Sequence, residues 1–173
     1  MSTKLQIPQG VKAEVAGDRL IITGPKGVAE RKYPTRNIQI KISGGELELL
    51  TDVHALENTF AAHIKNMFKG VQEPFVYKLK ISYIHFPMTV SLQNSEFSVT
   101  NFLGERRQRR TKLPKGAEVK IDGDFITITS PNIELAGKAA TLIEQLTRVR
   151  SRDRRTFLDG IYMVEKAGVP VTT

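Results

Sequence analysis

Seven identities in 19 positions link two stretches of this 173-residue chain that lie 106 residues apart. Ile7 to Pro25 reads IPQGVKAEVAGDRLIITGP and Leu113 to Pro131 reads LPKGAEVKIDGDFITITSP; the identical pairs are Pro8/Pro114, Gly10/Gly116, Gly17/Gly123, Asp18/Asp124, Ile22/Ile128, Thr23/Thr129 and Pro25/Pro131. Average residue frequencies would give about one match. Two copies point to a duplicated domain, since a solenoid needs three or more units.

Each copy has the pattern of a β-hairpin. Val11, Ala13 and Val15, then Leu20 and Ile22, flank Ala16-Gly17-Asp18-Arg19, and Val119 and Ile121, then Ile126 and Ile128, flank Asp122-Gly123-Asp124-Phe125. Gly and Asp tolerate the positive φ of such turns, which explains Asp18 and Asp124 without any chemical role. Two amphipathic helices follow from a 3.6-residue period. One spans about 52–69 with Val53, Leu56, Phe60, Ile64, Met67 and Val71 on its face, Asp52 as N-cap and Gly70 as stop. The other spans about 133–149 with Leu135, Ala139, Leu142, Ile143, Leu146 and Val149. Further strands are expected at Ile38 to Ile42, Glu46 to Leu50, Tyr77 to Tyr83, Met88 to Leu92 and Phe97 to Thr100. In the second half the extra strands precede the repeated hairpin, whereas in the first half they follow it. Gly70 to Pro74 breaks the periodicity, so the expected division is 1–74 and 75–173. The fold class is α+β: two related domains, each a small, mainly antiparallel sheet with one helix on one face.

Composition removes several function classes. With 40% hydrophobic and 25% charged residues the chain can bury a core. No apolar run approaches the roughly 18 residues needed to span a bilayer, and MSTKLQIPQG has no apolar signal-peptide core, so a cytoplasmic protein is expected. Absence of cysteine removes thiolate chemistry. His54 and His63 lack the i, i+4 spacing of a helical metal pair, and no P-loop, GxGxxG or GxSxG is present. Gly24-Pro25-Lys26-Gly27 matches the GxxG of KH domains but follows a strand instead of joining two helices, so it reads as a loop. No catalytic residue, metal or cofactor is expected.

Charge is concentrated. The net charge is +8, and nine of the twelve arginines fall in two segments. Arg106, Arg107, Arg109, Arg110, Lys112 and Lys115 stand against Glu105 alone; Arg148, Arg150, Arg152, Arg154 and Arg155 stand against Asp153 alone. A solvated surface mixes signs and favours Lys, whereas the planar Arg fork fits phosphate oxygens. Both segments lie in the second domain, which makes that domain the expected nucleic-acid binder. RNA is favoured over DNA because no helix-turn-helix, basic zipper or zinc finger is present. A free RNA-binding regulator or RNA chaperone would use the same arginines. Phe102 and Phe157 flank the clusters, with core packing their expected role.

The C-terminal residues carry a resemblance. Gln145, Val149, Arg152, Arg155, Phe157, Asp159, Gly160, Ile161, Tyr162, Met163 and Lys166, supported by YKLKISYIHFP at Tyr77 to Pro87 and NFLGE at Asn101 to Glu105, resemble the universal L-six family of large-subunit ribosomal proteins in its archaeal and eukaryotic branch, called L-nine in eukaryotes. The resemblance implies two related α+β domains, the second contacting ribosomal RNA near the sarcin-ricin loop and stalk base, close to where translation factors dock. It implies RNA contacts from the two arginine segments and Lys166, a turn shaped by Asp159 and Gly160, and neighbouring stalk-base proteins as partners. The first domain would mostly face solvent or other proteins.

Overall fold

The computed structural model describes residues 2–171. Residues up to Pro74, joined by Pro131–Ile133, form one compact unit; Phe75–Ser130 and the residues from Glu134 onward form another.

The first unit contains β1 (Ser2–Gln6), β2 (Lys12–Ala16), β3 (Arg19–Gly24), β4 (Gly27–Lys32), β5 (Ile38–Ser43), β6 (Glu46–Thr51) and α1 (His54–Gln72). They build two antiparallel sheets, β2-β3-β4 and β1-β6-β5. Strand alternation sends Leu20 and Ile22 of β3 and Leu47 and Leu49 of β6 inward, where Ile64, Met67, Phe68 and Val71 of α1 complete the core. Both expected ends of α1 need correction. Asp52 is exposed and does not cap the helix; Val53 occupies the cap position without a side-chain bond, and the Thr51 hydroxyl accepts from the Val53 N–H at 3.2 Å. Nor does Gly70 stop it. Gly70 is buried inside the helix, which runs on to Gln72 and ends because Pro74 forces Glu73 into extended backbone (φ −130°, ψ 108°).

The second unit contains β7 (Phe75–Ser82), β8 (Thr89–Gln93), β9 (Glu96–Thr100), β10 (Arg109–Lys112), β11 (Glu118–Asp122), β12 (Phe125–Ser130), α2 (Ile133–Leu146), β13 (Gly160–Lys166) and β14 (Val169–Pro170). Its sheets are β10-β9-β8 and β11-β12-β7-β13-β14. Ala136, Ala139, Ala140 and Ile143 form the buried face of α2. The helix ends three residues short of Val149. Thr147 leaves the helical register, and its hydroxyl accepts from the Ile161 N–H at 2.9 Å.

The α+β class and both repeated hairpins hold, but the register of the duplication differs from the 106-residue match. In strand order, β1-β6-β5 with α1 corresponds to β7-β12-β11 with α2, and the meander β2-β3-β4 corresponds to β8-β9-β10. The offset relating the hairpin-and-helix halves is therefore 79 residues, Leu47 falling on Ile126 and Leu49 on Ile128, all fully buried. Gly44 then falls on Gly123, with φ 58° and 56°, and Ile64 on Ile143. The 106-residue match instead pairs the first hairpin of one unit with the second hairpin of the other. Similarity at that offset is real but reflects the shared demands of a two-residue turn and alternating strands. This removes the anomaly of strands that follow the hairpin in one half and precede it in the other.

Gly24 shows how tightly β3 meets α1. A Cβ there would lie 2.7 Å from Val71 Cγ2 and 2.9 Å from the Val71 carbonyl oxygen, and the neighbouring Lys26 N–H donates to that oxygen at 3.0 Å. The expected GxxG is thus the tight turn of the β3–β4 hairpin, which also satisfies a helix-end carbonyl. Gly24→Ala should destabilise the protein by about 1–3 kcal/mol, measured as a lowered urea midpoint, because the obstruction includes backbone that cannot move aside.

Candidate nucleic-acid interface

The first arginine segment begins at a strained corner. After β9 the chain passes through Asn101, Leu103 and Gly104 at φ 61°, 50° and 76°. Asn and Gly tolerate this region, whereas Leu103 is held there at a cost of about 1–2 kcal/mol. Its side chain and that of Phe102 are buried, and the Asn101 amide donates to the Pro87 carbonyl at 2.9 Å. NFLGE is therefore a corner that seats Phe102 and turns the chain toward β10.

Arg109 and Thr111 are the residues that β10 places inward. The Arg109 guanidinium carbon sits 4.4 Å above the Phe102 ring centroid. Nε and Nη2 both donate to the Glu105 carboxylate, Nε at 2.8 Å, while Nη1 donates to the carbonyls of Leu146 at 2.8 Å and Arg148 at 3.2 Å. One side chain thus engages a carboxylate, an aromatic face and two carbonyls at and just past the end of α2, where helices leave acceptors unpaired. The hydrogen bond from Arg109 leads the causes that lower the Glu105 pKa below the ordinary carboxylate value, with the charges of Arg152 and Arg150 adding to it.

This clamp brings the two basic segments together. Glu105, Arg107, Gln108, Arg109 and Arg110 line one side of a cleft of about 790 Å³, and Gln145, Leu146 and Arg150 line the other. Arg106, Arg107, Arg110 and Arg150 are exposed. Arg110 is steered by Gln108, whose amide oxygen accepts from it at 2.9 and 2.7 Å. Arg148 and Arg154 line a smaller cavity beside it, and Arg152 lies 4.9 Å over the Phe157 ring. Arg155, Lys112, Lys115 and Lys166 are exposed but line neither cavity. Among the described residues no ion pair engages Arg106, Arg107, Arg148, Arg150, Arg154 or Arg155. The first unit differs: there Arg19 pairs with Glu30 at 3.3 Å and Lys32 with Asp18 at 3.5 Å.

The segment after α2 is anchored by Asp159, which is almost wholly buried at 1% exposure. Its Oδ1 accepts from the N–H groups of Ile84 and His85 at 2.8 and 3.1 Å, and its Oδ2 lies 2.9 Å from His85 Nδ1. Burial alone would raise its pKa, but the His85 side chain and the two backbone donors together lower it to about 2. The His85 ring packs 5.0 Å from Phe157, which carries Arg152 on its ring. Asp159 is thus an anchor for the 83–87 loop, and YIHFP in the sequence is the partner that it holds; the expected turn at Asp159 and Gly160 lies earlier, at 154–156, and Gly160 opens β13. His54 pairs with Glu57 and His63 with Arg31, and no cluster of three metal-ligating side chains occurs among the described residues.

Sequence reasoning misses the separate duty of Arg109 within its cluster. It also misses Gln108 as a lining residue, and it marks Gln145 and Tyr162 only as carriers of the family resemblance, without a place in the site. Because the folded pKa of Asp159 lies below its unfolded value of 3.8, its contribution is complete above that value and is lost as pH falls toward about 2. Between pH 5 and 2 the native protein should lose roughly 2 kcal/mol more stability than Asp159→Asn, measured by urea unfolding at each pH.

The chain is similar to known proteins along its whole length. The family model for ribosomal protein L6 matches twice, at residues 7–74 and 86–160, the same pairing of halves that the strand order gives. "Large ribosomal subunit protein uL6" of Methanococcus vannielii is 38% identical over 170 residues, covering 95% of this chain and 93% of the relative. The protein of the same name from Halobacterium salinarum is 38% identical with 94% of each chain covered, and that from Desulfurococcus amylolyticus is 41% identical with 96% and 95% covered. With both units matched and the relatives aligned nearly end to end, the chain belongs to the ribosomal protein L6 family.

Proposed function

We propose that this chain is a structural constituent of the large ribosomal subunit and that its second domain, residues 75–173, binds ribosomal RNA through the cleft between β10 and the end of α2. The carrying observation is the convergence of Arg107, Arg110 and Arg150 on one groove, held by an Arg109 whose own donors are used within the protein. Exposed guanidinium groups on both walls suit two phosphate runs or one that crosses the groove. The first domain, which carries neither arginine segment, supports the particle and faces solvent or neighbouring proteins. The relatives are named for the large subunit, so the place of work is the ribosome and the role is binding without turnover. Within the subunit we assign the RNA contact to the region of the sarcin-ricin loop and stalk base. Stalk-base proteins would be its neighbours and translation factors would dock close by.

The arginines then separate into two kinds. Arg106→Ala, Arg107→Ala and Arg110→Ala combined should weaken binding to large-subunit ribosomal RNA and flatten log K against log salt by roughly 0.7 to 0.9 for each phosphate no longer neutralised. Nitrocellulose filter binding over a salt series measures this, and an unchanged slope would remove the groove from the RNA-binding surface. Equal affinity for many unrelated RNAs would favour a free RNA chaperone. Arg109→Ala should instead destabilise the fold by about 1–3 kcal/mol, seen in the urea midpoint, since it leaves Glu105 and two carbonyls without their donor.

A further inference from the structure

Beside the arginine groove, on the other side of Gln145, is a separate cavity of about 220 Å³. Gln145 lines both. Its other walls include Glu144, Thr147, Arg148, Arg154 and Tyr162. Drug-sized ligands occupy cavities of roughly 300–1,000 Å³, so this one suits a planar group no larger than a single base.

Tyr162 is fixed in an unusual way. Its hydroxyl donates to the Leu158 carbonyl at 3.0 Å, and the tip of its ring folds over Gly160, where a Cβ would lie 3.1 Å from the ring. Gly160 sits at φ outside the left-handed region, so the space for the ring, not backbone freedom, is what the missing side chain provides. A ring held at its tip while 37% of the residue stays exposed is a preorganised platform. Its phenol lies in the fields of Arg154 and Glu144, and burial leads the causes that raise its pKa. The cavity beside the ring holds two exposed arginines, Arg148 and Arg154.

We infer that this cavity receives one unstacked RNA base, which stacks on Tyr162, presents its edge to Glu144 and Gln145, and has its flanking phosphates held by Arg148 and Arg154. Single-stranded RNA is recognised in this way, with the base splayed onto an aromatic face and its edge read by hydrogen-bonding side chains. Carboxylate and amide together accept and donate, so the edge is read as well as stacked. The inference rests on the RNA-binding reading of the neighbouring groove and adds base recognition to its phosphate binding. One strand can serve both, since the two cavities share Gln145 as a common wall.

Base stacking and phosphate binding are separable by experiment. With deproteinised large-subunit ribosomal RNA as probe, the full-length Tyr162→Ala variant should bind roughly 5- to 150-fold more weakly, the range expected for removal of one base stack. Its salt slope should equal that of the native chain, because no cationic side chain is removed. Tyr162→Phe, which keeps the ring, should bind within about threefold of the native chain. Ultraviolet crosslinking of the unmodified protein to the same RNA should yield an adduct at Tyr162, a result independent of how any variant folds. Native affinity in Tyr162→Ala, or crosslinks in the arginine segments with none at Tyr162, would overturn the base site while leaving the groove intact. Weaker binding by Tyr162→Ala accompanied by a flattened slope would likewise overturn it, by making the interaction electrostatic.

Discussion

The arginine groove of the second unit depends on Arg109. A cluster of guanidinium groups repels itself, and a helix end exposes carbonyls that repel anions. Arg109 relieves both at once by pairing with Glu105, covering Phe102 and donating to the carbonyls of Leu146 and Arg148. Residues some forty positions apart in the chain thereby become opposite walls of one groove. The remaining arginines are free to be exposed because this one is not.

The same contrast separates the two halves of the duplication. In the first unit Arg19 of β3 meets Glu30 of β4 across the hairpin and Lys32 of β4 meets Asp18. In the second, β10 points Arg109 inward and Arg110 outward, where Arg110 reaches Glu96 of β9 only at 4.0 Å, and the eight-residue corner 101–108 that precedes it has no counterpart in the Gly24–Gly27 turn. A shared scaffold thus carries a new surface through an enlarged connection, with β13 and β14 added at the edge of its sheet. The anchor at Asp159 does the equivalent for the second segment, tying the stretch after α2 to the 83–87 loop through three polar interactions with one buried carboxylate.

Much of this is legible in the sequence, and the losses have physical causes. Hairpins, both helices and the charge asymmetry follow from periodicity and turn glycines. The register of the duplication does not, because two hairpins of one domain obey the same turn rules and can match each other's copies better than their own. Strand β10 is hidden in a run that reads as a charged loop, since pairing with β9, a long-range interaction, overrides the low strand propensity of Arg and Lys. Asp52 and Gly70 are ordinary helix signals that lose to Thr51 and to Pro74 respectively. Composition treats the arginines alike because it cannot distinguish a guanidinium facing solvent from one spent on carbonyls. Tyr162 is not evident as a site for a related reason: its platform needs Gly160, Leu158 and the end of α2 to meet.

The shared groove is tested most directly by a protein–RNA crosslinking map of assembled large subunits, with each adduct assigned to a peptide and a nucleotide. Adducts from 105–115 and from 148–155 are expected on the same RNA segment or on two segments that touch, with few from residues before Pro74. Adducts confined to the first unit, or the two arginine segments each joined to RNA segments distant from one another in the particle, would contradict a groove assembled by Arg109.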